Sequence, residues 1–278
     1  MNYKIENCLY KKLCLNSQRH KYLYHYTDID SLNKIIQSKS LRLTKLSQVN
    51  DSYENRRIMN LHKDKIYVAC FTHRQNESVF MWKEYANKNK GVILKFHNLN
   101  NYYTEIYGEG NHHLKKIQNI DWAHTNYDAV SDWGYLDITI ADIEYTRDFN
   151  NYKYPDNQLT EFFNNTIIFG RSNTDFESNL GQGLVKGIEW DSEEETRIRV
   201  TLRPKGNENV LNGSTFDQPR PQFDYIYLKL SEDMLKDLRV IINPWATDEF
   251  KYKVGRIIAK GNLEYNQIIE SSLKEKIK

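Results

Sequence analysis

The sequence predicts an α+β fold in a single domain that spans residues 1–278. Strand-like and helix-like segments are mixed along the chain without the strict alternation of a doubly wound parallel sheet, and no internal repeat is present. Hydrophobic residues make up 39% of the 278 residues and aromatic residues 13%, which is enough to build a sizeable core. Residues 97–180 are rich in Asn, Asp and Tyr, and we interpret them as an elaboration within the same domain.

Most predicted elements follow from hydrophobic periodicity. Apolar residues at helical spacing after residue 28 predict a helix, which Thr27 or Asp28 can cap. Further helices are predicted within 50–61 and over 79–87, 159–169 and about 247–260. Strands are predicted over 22–26, 41–44, 65–72, 91–96, 140–146, 224–230, 238–244 and 265–273, and after a polar approach within 186–202.

The overall composition excludes several classes of protein. The formal net charge is only +2, so no general attraction to nucleic acid or membrane is expected, although a local basic patch can hide within that balance. Cys8, Cys14 and Cys70 are odd in number and match no metal or disulfide pattern. The start carries charges throughout, and no run approaches the ~18 apolar residues of a membrane helix. These observations predict a soluble, cytoplasmic protein with no membrane partner.

His25 lies where a predicted strand meets a predicted helix. An imidazole at a strand end can donate a hydrogen bond to a ligand hydroxyl while the backbone fixes its other ring nitrogen. The alternative is an ordinary packed histidine. Thr27 lies on the same face if the strand continues, and its alternative role is the helix cap.

Two further segments combine site-like residues with structural alternatives. Asn50 and Asp51, with Glu54 following, have the spacing of a capping box, whereas Arg56 or Arg57 could hold a phosphate. Thr72 ends the buried strand, and Met81, Trp82 and Tyr85 follow on one helical face. Such an aromatic stripe belongs either to the core or to a ligand surface.

The block from Trp190 to Arg197 is the sharpest feature. If it is a strand, Glu193, Glu195 and Arg197 share one face and Glu194 points away. A carboxylate cluster in a strand needs a reason, because glutamate is a poor strand former. Either Arg197 pairs with a glutamate for structural reasons, or it holds a carboxylate at the edge of a cleft for catalysis.

Motifs for other chemistries are missing from the sequence. It contains no phosphate-binding loop, dinucleotide-binding glycine pattern, serine hydrolase elbow or HExxH helix. His112 and His113 have no partners at metal-ligand spacing, so the sequence predicts no metal.

Several blocks appear in one order: LYHYT at 23–27, VNDxxE at 49–54, CFT at 70–72, MWxxYA at 81–86, GVILKF at 91–96, KGIEWxxExExR at 186–197 and IINP at 241–244. As a set they resemble a widespread bacterial family known only as a domain of unknown function, over about residues 20–272. Thr72 stands where that pattern leads us to expect serine.

The HYT of His25 to Thr27, followed by a helix and a strand, also resembles the first motif of ADP-ribosyltransferase folds. DNA-modifying toxins and RNA 2′-phosphotransferases carry a similar motif. The resemblance implies a central split or mixed β-sheet flanked by helices, and NAD as the substrate, without a metal. By order along the chain, His25 and Thr27 would bind the NAD ribose, Thr72 would lie on the second motif strand, and Glu195 would assist transfer.

The leading expectation is therefore an enzyme that transfers ADP-ribose from NAD to a macromolecular acceptor, protein or nucleic acid. His25 and Glu195 would be catalytic, and Thr27, Arg56, Thr72 and Trp82 would contact NAD. Glu193, Arg197, Asn50 and Asp51 would support them. Such a protein could serve as a toxin or antiphage effector, with a partner protein encoded nearby.

Two other classes of function stay open. One is a non-catalytic module of a bacterial defence system that binds a nucleotide or a protein in the same cleft. The other is a metal-dependent nuclease that uses Glu193, Glu195 and Asp51.

Overall fold

The computed structural model describes residues 16–49, 63–87, 90–97, 103–108, 113–116, 128–130, 134–147, 183–203 and 223–277. These residues form a mixed α+β structure, which confirms the predicted fold class. Of the helices in these ranges, none is both long and apolar enough to cross a membrane.

The strands are as follows: β1 Tyr22–Asp28, β2 Ser40–Lys45, β3 Ile66–Thr72, β4 Gly91–His97, β5 Tyr103–Gly108, β6 His113–Lys116, β7 Asp128–Val130, β8 Gly134–Asp142, β9 Glu144–Thr146, β10 Val185–Gly187, β11 Glu195–Arg203, β12 Tyr225–Leu230, β13 Arg239–Ile242 and β14 Ile268–Glu270. Within the described ranges, twelve of them form one sheet, and β9 and β10 form a separate parallel pair. The longest path through the large sheet has the order β14-β13-β4-β1-β3-β2-β12-β5-β6. The sheet branches at β3, because β11 pairs with β3 on one side and with β8 on the other.

The α-helices with assigned bounds are α1 Ile29–Ser38, α2 Val79–Tyr85, α3 Glu232–Asp237 and α4 Asp248–Lys260. Helix α1 begins as predicted, since the Asp28 side chain accepts a hydrogen bond from the Ser31 backbone N–H at 2.7 Å. Helices α1 and α4 pack against each other, and both bury an apolar stripe in the main core.

Four predicted elements differ from the structure or lie outside it. The strand predicted over 140–146 is divided, because β8 ends at Asp142 and β9 belongs to the separate parallel pair. The segment 265–273 forms a short 3₁₀ helix, Tyr265–Gln267, before the three-residue strand β14, instead of one continuous strand. The buried Gln267 amide explains the 3₁₀ turn, because its Nε2 donates to the carbonyls of Leu235 and Leu238. The helices predicted within 50–61 and over 159–169 lie outside the described residues.

The sheet is open at one edge of β3. At one end of that edge β2 pairs with Tyr67 and Val68, and at the other end β1 pairs with Thr72 alone. In these three fully described strands, no pairing occupies the edge of β3 between Val68 and Thr72. Strand β1 is instead paired along its whole length with β4. A gap therefore separates β1 from the middle of β3, and it positions the site described next.

Candidate functional site

A cleft of about 1380 Å³ opens at this gap and extends over one face of the neighbouring strands. The strand registers place Glu195 beside Thr72, Arg197 beside Cys70, and Tyr227 beside Arg42, all on that face. His25 and Glu195 lie 170 positions apart in the chain, yet both line this cleft. Tertiary structure thus brings together the two residues that the sequence analysis places in catalytic roles.

His25 closes part of the gap with its side chain. Its Nδ1 lies 2.8 Å from the backbone oxygen of Cys70, on the stretch of β3 that lacks a strand partner. The imidazole therefore provides a hydrogen-bond partner for a backbone carbonyl that strand pairing leaves open on this edge. The ring also contacts Phe71, with the ring centroids 5.4 Å apart.

The hydrogen bond determines which nitrogen of His25 can serve a ligand. A carbonyl oxygen only accepts, so Nδ1 must carry the proton. Desolvation by the surrounding protein lowers the pKa of His25, and the bond to Cys70 opposes this only in part. The ring is therefore neutral near pH 7, and Nε2 is a hydrogen-bond acceptor. This corrects the expectation that His25 donates to a ligand hydroxyl.

Thr27 and Thr72 both line the cleft. Thr27 does not cap α1, because Asp28 does. The Thr72 hydroxyl donates to the backbone oxygen of Glu194 at 3.3 Å and accepts from the Arg74 backbone N–H at 3.1 Å. Thr72 thus holds the turn after β3 against the start of β11, and its proton is committed there.

Four charged side chains form a compact group that we call the cleft cluster: Lys186, Glu193, Glu195 and Arg197. All four are buried, and Glu195 is only 3% exposed. The Lys186 Nζ lies 2.7 Å from Glu193 Oε2 and 2.9 Å from Glu195 Oε2. The Arg197 Nε donates to Glu195 Oε1 at 2.6 Å, and its guanidinium also donates to the Gly183 carbonyl at 2.8 Å.

The cluster stays ionised because its charges compensate one another. Burial alone would raise the pKa of Glu195, but Arg197 and Lys186 outweigh it and lower that pKa to about 2. Burial likewise disfavours the Lys186 cation, yet the nearby carboxylates raise its pKa overall. Glu195 and Lys186 therefore remain charged near pH 7, and the carboxylate of Glu193 also accepts a hydrogen bond from the Tyr85 hydroxyl.

The backbone around Glu193 is a 3₁₀ helix and not the predicted strand. Glu193 is the last residue of a 3₁₀ helix, Ile188–Glu193, and Glu194 follows with a left-handed φ of 44°. Only Glu195 and Arg197 belong to the strand. The prediction that Glu193 lies on the same strand face is therefore wrong. The turn nevertheless places both glutamates at Lys186, whereas the half-buried Glu194 side chain lies 3.6 Å from Arg74. Lys186 was not predicted as a site residue; its only mark in the sequence is that it stands nine positions before Glu195.

The two tryptophans near the cleft have different environments. Trp82 is fully buried, its indole N–H donates to Glu77 at 2.9 Å, and its ring packs edge-on against Tyr26. It has no surface for a ligand, so the expectation that it contacts NAD is corrected to a core role. The half-buried Trp190 does line the cleft, with the Lys186 ammonium 4.9 Å from its ring centroid.

Positive charge predominates in the cleft, although the formal net charge of the whole chain is only +2. On β2 and β12, alternate residues face the core and the cleft, and the cleft side carries Arg42, Tyr225, Tyr227 and Lys229. The guanidinium of Arg42 lies 4.4 Å from the ring centroid of Tyr225. Among the described lining residues the cations are Lys34, Arg42, Lys186, Arg197 and Lys229, and the carboxylates are Glu193 and Glu195. The surplus of cations suits an anionic ligand.

The remaining predicted site residues cannot be placed. Asn50, Asp51 and Arg56 lie outside the described residues, together with Glu54 and Arg57. Their roles stay predictions.

Comparison with known proteins found no matching family model, no matching curated protein and no matching solved structure. The family resemblance of the sequence blocks, and the resemblance to ADP-ribosyltransferases, therefore stay predictions.

Proposed function

We propose that this protein transfers ADP-ribose from NAD to a macromolecular acceptor. The observation that supports this most is that His25 and Glu195, from distant parts of the chain, line one cleft with a surplus of positive charge. NAD carries a doubly negative pyrophosphate, so a cationic cleft favours it. A volume of about 1380 Å³ also leaves room for part of an acceptor beside the dinucleotide.

The reaction exchanges one bond at the ribose anomeric carbon. The bond from that carbon to the nicotinamide nitrogen breaks, and its electron pair leaves with neutral nicotinamide. The acceptor atom forms the new bond to the same carbon and releases its proton. Positive charge builds on the ribose in the transition state, and a fixed carboxylate in a dry site stabilises it electrostatically.

In this proposal Glu195 supplies the fixed negative charge. Its low pKa keeps it ionised, and the bonds from Arg197 and Lys186 hold its carboxylate in one orientation. His25 binds a ribose hydroxyl through Nε2 as an acceptor, with Nδ1 anchored to the Cys70 carbonyl. Removing a positioned carboxylate of this kind lowers the rate on the order of 10²–10⁴-fold.

The test is incubation of the protein with labelled NAD and cell lysate, followed by detection of labelled macromolecules and free nicotinamide. The variants are His25→Ala and Glu195→Gln, with Glu194→Gln as the matched control on the adjacent glutamate. We expect transfer by the wild type and the control, and loss in the other two. A folded wild-type protein that neither transfers label nor releases nicotinamide would refute the proposal.

A second candidate function is a non-catalytic module that binds a nucleotide or a protein in the cleft. The observation that favours it is the compensation of Glu195, whose charge is already matched by Arg197 and Lys186. Calorimetry with NAD and ADP-ribose separates the two candidates. Binding without turnover supports the module, and the absence of binding by both nucleotides leaves a protein-binding role.

A metal-dependent nuclease has less support. The Lys186 ammonium bridges Glu193 and Glu195 and lies where a cation shared by the two carboxylates would have to bind. The third residue of that hypothesis, Asp51, lies outside the described residues.

A further inference from the structure

Three side chains from distant parts of the chain converge on the face of β11 opposite the cleft, and we call them the histidine cluster: His20, His73 and Asp142. One oxygen of the Asp142 carboxylate lies 2.9 Å from His20 Nε2, and the other lies 3.8 Å from His73 Nδ1. The two imidazoles are stacked, with centroids 4.0 Å apart and planes 2° from parallel. One potential ligand atom from each residue lies within 4.8 Å of the other two.

We propose that the histidine cluster binds a first-row divalent transition-metal ion of the zinc type. Two imidazole nitrogens and one carboxylate form a common donor set for Zn²⁺ and its neighbours, whereas Mg²⁺ and Ca²⁺ prefer all-oxygen sites. The Asp142 side chain is only 10% exposed, while those of His20 and His73 are 22% and 23% exposed. The ion would therefore have a buried anchor and an open side for water.

Binding requires a tautomer change and a rotation of the stacked rings, because a metal ion must lie close to the plane of each imidazole that coordinates it; it requires no redox chemistry. In the present arrangement Thr196 Oγ1 donates to Asp142 at 2.6 Å, so His73 Nδ1 donates in turn to Thr196 Oγ1 at 3.0 Å. His20 Nε2 likewise donates to Asp142. On metal binding each proton moves to the other nitrogen of its ring, and the freed lone pairs coordinate the ion. The metal replaces the hydrogen bond from His20 to Asp142 and the hydrogen bond from His73 to Thr196 Oγ1 with three coordinate bonds.

The site would join three segments behind the cleft. His20 belongs to the segment before β1, His73 follows β3, and Asp142 ends β8. The first of these segments is also tied to β8 by the Ser17 hydroxyl, which donates to the Ile140 carbonyl. Thr196 contacts the cluster and lies between Glu195 and Arg197 on β11. An ion here would therefore stabilise the strand that carries the cleft carboxylate from its opposite face.

Titration of the tag-free full chain with Co²⁺ tests the proposal directly. We expect one ion per chain, visible absorption bands of low-coordinate Co²⁺, and no thiolate charge-transfer band, because the proposed ligands include no cysteine. Zn²⁺ should displace Co²⁺ and raise the melting temperature as a ligand specific to the folded state.

Matched variants locate the ion. His20→Gln and His73→Gln should each weaken binding by at least about 10-fold, whereas the exposed His97→Gln should bind like the wild type. Asp142→Asn should weaken binding as well; because Asp142 is buried, the two histidine variants decide the outcome if this one does not fold. Absence of Co²⁺ binding, or unchanged binding in both His20→Gln and His73→Gln, would show that the cluster is only a hydrogen-bonded clamp. These readouts do not involve NAD, so they are independent of the proposed transferase activity.

Discussion

The two polar clusters on either side of β11 differ in how their charges are compensated. The cleft cluster has two carboxylates and two cations, all buried, with each carboxylate within hydrogen-bonding distance of a cation. The histidine cluster has one buried carboxylate shared by two partly exposed imidazoles. Alternate residues of one strand face the two clusters, since Glu195 and Arg197 point to one and Thr196 to the other.

The difference determines what each cluster can do. A fully compensated group of buried charges is rigid, and removal of one member leaves an unmatched charge in a poorly solvated place. The stacked imidazoles oppose a second proton, and burial together with the nearby His20 lowers the pKa of His73 while Asp142 raises it in part. His73 therefore stays a neutral imidazole near pH 7, whereas Glu195 and Lys186 of the cleft cluster stay ionised.

The largest expected effect comes from breaking the cleft cluster. Glu195→Gln should destabilise the protein by about 3–5 kcal/mol, because Arg197 and Lys186 would then share the single carboxylate of Glu193. Denaturant unfolding of the variant and of Glu194→Gln measures it. The control should stay within about 0.5 kcal/mol of wild type, and equal effects of the two changes would show that the cluster is not specifically sensitive.

Acid should release the stability that the ionised Glu195 contributes. Its pKa is about 2 in the folded protein and 4.5 when unperturbed, so the unfolded state takes up the proton first as the pH falls. The contribution is complete above pH 4.5 and is lost between pH 4.5 and about 2, with an expected size of roughly 3 kcal/mol. Unfolding curves at several pH values should show wild type and Glu195→Gln converging in that window. A constant difference down to pH 2 would contradict the assignment.

Replacement of His25 should have a smaller effect on stability than on ligand binding. His25→Ala removes one hydrogen bond to the Cys70 carbonyl, which costs about 0.5–1.5 kcal/mol. Thermal unfolding measures that cost, and calorimetry with NAD measures the loss of binding. His97→Ala, at the exposed end of β4, is the control for loss of an imidazole. NAD binding that is unaffected by His25→Ala would remove His25 from the ligand site.

The smallest effect is a change in the reactivity of Cys70, whose side chain is exposed to the cleft. Partial removal from bulk water inside the cleft, and then the charge of Glu195, raise the pKa of this thiol, so little thiolate is present near pH 7. Alkylation by iodoacetamide, followed by peptide mass spectrometry, should be slow in the folded protein and faster in Glu195→Gln. The denatured chain gives the reference rate for the same peptide. A fast reaction in the folded wild type would show that the thiol is not held protonated.

Local features of the fold were predictable because they depend on neighbours in sequence. The Asp28 cap, the apolar stripe of α1 and the buried strand β3 all follow from residues within a few positions of one another. The block that contains Glu193, Glu195 and Arg197 was recognisable for a similar reason, since carboxylates and an arginine at strand spacing are unusual in any context.

Tertiary structure alone determines which groups the site residues contact. The gap beside β3 exists because β2 pairs with one end of that edge and β1 with the other end. Only this geometry places the Cys70 carbonyl within hydrogen-bonding distance of His25. The helical spacing of Trp82 fits a core residue and a ligand-contacting residue equally well, and packing against Tyr26 places it in the core. His20, His73 and Asp142 lie 53 and 69 positions apart along the chain, so no spacing rule could join them. Periodicity records which face a residue occupies, whereas burial and charge compensation depend on distant segments that meet only when the sheet is assembled.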